Sequence, residues 1–142
     1  MALRPFEHVA VTSVEEAVAL GAAHGARAAV VAGGTDLLGV LKDGVHRDYP
    51  ELLIDLKPAR ALRGVKAGAK GVTIGALTTL ADVARDPAVR ERLPLLAEAA
   101  RAVASPEIRN MGTVGGNLCQ EPRCWYYRSP DDRFHCLRKG GD

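Results

Sequence analysis

The chain has 142 residues, 47% of them hydrophobic, which suits one compact domain or two small lobes and excludes general disorder. Its 19 basic and 17 acidic residues leave a net charge of +2, with no basic stripe and no acidic tail. That balance gives no electrostatic basis for nucleic-acid or anionic-membrane binding, and no apolar run reaches the length of a transmembrane helix.

The opening stretch MALRPFEHVAVTSVEEA has no uninterrupted apolar core before Glu7 and His8, so it does not read as a signal peptide. The cytoplasm is the expected compartment, with export alongside a signal-bearing partner (a periplasmic destination) as the alternative. Ser13 and Glu16 stand in capping-box register and predict a helix start. Val14, Ala17, Val18 and Gly21 fall on one face of that helix, and Gly25 stops it. AAVVAGG then reads as a buried strand entering a tight turn, and residues 36–41 as one or two helical turns. Residues 52–56 form a second strand, closed by Pro58.

Beyond Pro58 the pattern changes. Residues 62–66 and 72–77 read as strands joined by the AGAKG turn, a hairpin. Thr79 and Asp82 mark a helix start, and Pro87 and Pro94 divide the following stretch into short helices. Leu95, Leu96, Ala99, Ala100 and Val103 give the last of these an apolar face, ended by Ser105-Pro106. From there to Asp142 no period is clear. The pattern predicts an α+β chain: residues 1–57 as a β-α-β lobe, 58–118 as the start of a second lobe, and 119–142 as a cysteine-bearing loop.

Three stretches carry candidate chemistry. In VVAGGTDL, residues 30–37, a strand ends in Gly-Gly, which leaves backbone N–H groups with no side chain in the way and suits a pyrophosphate. The same stretch also reads as an ordinary strand-to-helix turn capped by Asp36 or Thr35. RNMGTVGGN, residues 109–117, is a second place where backbone can approach a ligand, or simply a loop-forming tract. A dinucleotide is long enough to need both. All three cysteines, Cys119, Cys124 and Cys136, lie in one short segment. In a leaderless chain such a cluster reads as a metal or iron–sulfur site, although zinc and iron–sulfur centres usually take four ligands. Unrelated thiols are the other reading. Trp125, Tyr126 and Tyr127 read as local packing, and His8, His24, His46 and His135 as surface or capping residues. No carboxylate pair and no Ser-His-Asp set suggests acid–base or nucleophilic catalysis.

Together VVAGGTDLLGVLK, TIGALTTLADV and IRNMGTVGGNLCQ resemble the FAD-binding subunit of molybdenum hydroxylases, the xanthine dehydrogenase and aldehyde oxidoreductase family. NLCQEPRCWYYR and CLRKGGD resemble the branch whose flavin subunit carries a [4Fe–4S] loop. The resemblance implies a PCMH-type FAD-binding domain of two α/β lobes, the second incomplete. It implies an oxidoreductase subunit that passes electrons between iron–sulfur centres and an external acceptor. Its implied partners are a molybdopterin-binding large subunit and a [2Fe–2S] small subunit. By the same resemblance Val30, Val31, Ala32, Gly33, Gly34, Thr35, Asp36 and Leu37 hold the FAD pyrophosphate, mostly through backbone N–H groups. Thr113, Val114, Gly115, Gly116 and Asn117 form the second FAD contact. Cys119, Cys124 and Cys136 are cluster ligands, with a fourth expected beyond Asp142 and the chain expected to be an N-terminal fragment. The competing expectation is a zinc-stabilised interaction module with structural glycine loops.

Overall fold

The fold is that of a computed structural model, which describes residues 3–130 and 133–141. Met1, Ala2 and Asp142, which enter the expectations about a leader and about the chain's end, lie outside the described residues. The first half runs β1 (Glu7–Ala10), α1 (Val14–His24), β2 (Ala28–Val31), α2 (Leu37–Asp43) and β3 (Leu52–Asp55). The three strands form one parallel sheet in the order β1-β3-β2. Ile54 of β3 stands opposite Val9 on one side and Val30 on the other.

All four residues of β3 are buried, which is why Leu52, Leu53 and Ile54 are apolar without alternation: a central parallel strand has covered faces on both sides, and Asp55 at its end is buried against Lys57 and His8. Successive side chains point to opposite faces. Leu52 and Ile54 accordingly join Val11 and Ala17 beneath α1, whereas Leu53 joins Val31 and Leu41 beneath α2. The Ser13 hydroxyl caps α1 by accepting from the Glu16 amide at 3.1 Å. The reciprocal bond runs to the amide of Thr12, one residue before the cap. The buried face of α1 is not the expected one. Ala17 faces the sheet, while Val14 and Val18 are exposed. Leu20 packs beside Ala17 instead, because the sheet selects the small residue for close approach.

The second half opens with the hairpin β4 (Val65–Gly68) and β5 (Gly71–Ile74), antiparallel as expected though shorter. Among the described residues six short helices follow: α3 (Leu80–Arg85), α4 (Pro87–Arg92), α5 (Pro94–Ala102), α6 (Pro106–Met111), α7 (Val114–Leu118) and α8 (Trp125–Arg128). Proline occupies the first turn of α4, α5 and α6, where its missing N–H costs no helix bond. Val83, Val89, Ala97 and Ala100 form the core here, against Val65, Val72 and Ile74 of the hairpin. On α5 the apolar face again differs from expectation, since Leu95 is exposed and Ala97 and Ala100 are buried. Ser105 does not simply end α5; its hydroxyl caps α6 by accepting from the Ile108 amide.

Residues 119–130 and 133–141 pack back onto the first half. Tyr127 of α8 is buried with Val40 and Val45, and Cys136 lies against that cluster. The edge of His46 meets the Tyr127 ring, and the Arg138 guanidinium lies over it.

A cleft between two glycine tracts

At the end of β2 the chain turns through Ala32, Gly33 and Gly34 before entering α2. Gly34 has φ +71°, a conformation that glycine adopts without strain. Gly33 is needed for space: a Cβ there would overlap the Met111 carbonyl oxygen and lie 2.7 Å from its carbonyl carbon. The first glycine tract therefore presses directly on the backbone that leads into the second.

Between the tracts lies a cleft of about 160 Å³. Gly33, Gly34 and Thr35 line one side and Thr113 and Gly116 the other; Cys119, Gln120 and Glu121 form a third wall. A larger cavity of about 450 Å³ adjoins it, sharing Thr35, Asp36, Gly116 and Gln120 and continuing past Asn117 and Arg123.

The two tracts differ in their backbone hydrogen bonding. Among the described residues no acceptor takes the amides of Gly33, Gly34, Thr35 or Asp36. In the second tract the amides from Val114 to Asn117 are all used, and that of the N-cap Thr113 alone has no described acceptor. Val114 donates to the Thr78 carbonyl at 2.9 Å and Gly115 to the Ala76 carbonyl at 2.8 Å. Gly116 donates to the Thr113 hydroxyl at 3.1 Å, and Asn117 to the Thr113 carbonyl at 2.8 Å. The second tract is a capped helix, α7, rather than an open loop. Val114 packs against the second core and Gly115 against Ala76, so both face away from the cleft. Asn117 holds Gln120, its Oδ1 accepting from Nε2 at 3.1 Å. In the first tract Val31 is buried and Leu37 packs beneath the sheet, while Val30 is exposed at its rim.

Asp36 occupies the N-cap position of α2 but makes no side-chain cap bond. Its Oδ2 accepts from the Glu121 amide at 2.9 Å, and its Oδ1 from Arg128 at 2.6 Å. Arg123 adds a second guanidinium at 3.1 Å. Asp36 and Arg128 side chains are each only 15% exposed, so the pair is shielded from water. Burial pushes the Asp36 carboxyl up. The Glu121 amide and the Arg128 guanidinium, helped by Arg123, outweigh it and hold the group below the ordinary 3.8. Glu121 also pairs with His46 at 2.8 Å, so this exposed histidine has a fixed partner. Burial raises the Tyr127 phenol, and the nearby Glu121 raises it further.

Glu121, Arg123 and Arg128 were invisible as site residues in the sequence. Asp36 and Arg128 stand 92 positions apart with no shared motif, and only folding joins them.

All three cysteines are free; Cys119 and Cys124 are exposed and Cys136 is half-buried. Among the described residues no three His, Cys, Asp or Glu side chains gather into a group able to hold a metal ion. The expected cluster ligands are therefore not assembled as a site. The flavin cofactor fares differently, because four free amides beside a cleft suit an anionic diphosphate.

Residues 4–124 match the family described as FAD binding domain in molybdopterin dehydrogenase. The carbon monoxide dehydrogenase medium chain of Hydrogenophaga pseudoflava is 45% identical over 113 residues, 80% of this chain and 39% of that one. The nicotinate dehydrogenase FAD-subunit of Eubacterium barkeri is 36% identical over 119 residues, 82% of this chain and 39% of the relative. The solved carbon monoxide dehydrogenase of H. pseudoflava, in a form lacking the Mo-pyranopterin moiety, superposes with TM-score 0.78 at 44% identity, over 83% of this chain and 40% of that one. Quinoline 2-oxidoreductase from Pseudomonas putida 86 superposes with TM-score 0.76 at 31% identity, over 83% and 40%. The chain thus spans about 39% of the length of the curated relatives it matches. Match, fold and cleft agree that the chain belongs to the FAD-binding domain family of molybdopterin dehydrogenases.

Proposed function

We propose that the chain binds FAD with its diphosphate against the amides of Gly33, Gly34, Thr35 and Asp36. One observation carries this reading: those amides line a cleft and donate to no described acceptor. Several amides without an acceptor, side by side on a half-buried wall, favour an anion with several acceptor oxygens. The Asp36 carboxylate would repel that anion, and its pairing with Arg128 and Arg123 offsets the repulsion. Thr113 and Gly116 form the opposite wall, and Asn117 holds Gln120 at the adjoining cavity. Val114 and Gly115 act indirectly, by fixing α7 to the Thr78 and Ala76 carbonyls.

Bound FAD supplies reversible redox chemistry that side chains lack. On this reading the chain serves as the flavin-binding part of an oxidoreductase of the molybdenum hydroxylase type. A molybdopterin-binding large subunit acts on the organic substrate, a [2Fe–2S] small subunit relays electrons, and an external acceptor completes the circuit. The support is the family match, together with relatives named as medium chain and FAD-subunit. The narrower expectation of a [4Fe–4S] cluster on Cys119, Cys124 and Cys136 rests on resemblance alone, and no step is routed through it. Iron and acid-labile sulfide analysis of anaerobically purified protein decides it, and protein without iron retires it.

Flavin fluorescence titration tests the main reading. FAD is expected to bind saturably, and riboflavin, which lacks the diphosphate, to bind at least about tenfold more weakly, a factor worth ~1.4 kcal/mol. Equal affinities would remove the diphosphate from the explanation.

A further inference from the structure

A second cleft, of about 440 Å³, lies away from the glycine tracts, between the α2–β3 connection and the C-terminal segment. That volume is typical of small-ligand sites. Four cationic side chains line it, Arg4, Arg47, Arg138 and Lys139, against one carboxylate, Asp48. His46, also on its wall, is already paired with Glu121.

Three of these cations are held in place. The Arg4 guanidinium lies 5.3 Å over the Tyr49 ring, and that of Arg138 lies 5.8 Å over Tyr127. The Lys139 ammonium donates to the Ser129 carbonyl at 2.8 Å. Among the described residues none of Arg4, Arg47, Arg138 and Lys139 forms an ion pair. Elsewhere in the same molecule guanidiniums do find carboxylates, as Arg123 and Arg128 do with Asp36 and Arg27 with Glu51. Stacking on a ring orients a guanidinium and leaves its edge N–H groups free for bidentate bonding to oxyanions. Fixed like charges facing one another across a cleft repel, and a multiply charged anion relieves that repulsion.

We propose that this cleft binds a small organic phosphate or diphosphate, with Arg47 and Arg138 as its principal contacts. The site is separate from the glycine cleft and does not depend on FAD binding there.

The test is an isothermal titration of the intact chain with inorganic pyrophosphate, followed in parallel through arginine side-chain Nε–H resonances. Saturable binding is expected, with shifts at Arg47 and Arg138. Arg47→Ala and Arg138→Ala are each expected to weaken binding at least about tenfold. Arg47 is exposed and unpaired, so its variant keeps the fold even if loss of Arg138 loosens the Tyr127 contact. Malonate, a dianion without phosphorus, is the second arm and is expected to bind far more weakly. Unchanged affinity in Arg47→Ala, malonate binding as tight as pyrophosphate, or shifts confined to the amides of residues 33–36 would each overturn the proposal. The last of these would leave the FAD reading intact.

Discussion

At the scale of single residues, Gly33 and Asp36 decide most. Gly33 has no room for a methyl group, because the Met111 carbonyl occupies the place a Cβ would take. Gly33→Ala is expected to destabilise the chain by about 1–3 kcal/mol, through forced separation of β2 from the entry to α7. Gly39, inside α2, has nothing within 4 Å of its Cβ position. Gly39→Ala is expected to stabilise by about 0.5–1 kcal/mol. Urea midpoints at unchanged slope measure both. Asp36 sets a pH dependence. Its folded-state acidity is depressed below the ordinary carboxylate value, so its stabilising contribution is complete above that value and is lost as pH falls through the folded one. Asp55, held below its ordinary value chiefly by Lys57 against the opposing effect of burial, titrates in the same direction. The Asp36 share is therefore read as a difference. The urea midpoint of Asp36→Asn is expected to lie below wild type at pH 7 and to approach it as pH falls below the ordinary carboxylate value. A constant gap across that range would show that charge is not what Asp36 contributes.

Elements with strong local signals were legible in the sequence. The Ser13 and Thr79 caps, the proline starts of α4 and α5, and the apolar run that opens β3 each follow from one to four neighbouring residues. Helices α6, α7 and α8 have six, five and four residues, too few for a period to declare itself. The bond pattern of α7 was equally hidden, because the acceptors for its first amides are carbonyls of Thr78 and Ala76, on a distant part of the chain. A glycine tract reads the same whether its amides are free or taken. Helix α8 leans on the first half chiefly through Tyr127. Tyr127→Ala is expected to speed tryptic cleavage at Arg123 and Arg133 while Leu53 and Ile54 of β3 keep their amide-exchange protection. Loss of protection in β3 to the same degree would mean that α8 and the sheet unfold as one unit.

For the whole molecule, the parallel sheet and the hairpin-and-helix unit each carry their own core, and the cleft lies where Gly33 meets the Met111–Gly112 backbone. No described helix is long and apolar enough to cross a membrane. The two glycine tracts were legible as a pair because both motifs are local. Their division of labour was not, since it depends on which amides the rest of the fold consumes. The most direct measurement is an amide-resolved NMR titration of the chain with FAD. The bare-amide reading predicts the largest shifts at Gly33, Gly34, Thr35 and Asp36, and small ones at Val114 and Gly115, whose N–H groups are already committed. Largest shifts at Val114 and Gly115, or FAD binding that leaves residues 33–36 unmoved, would contradict it.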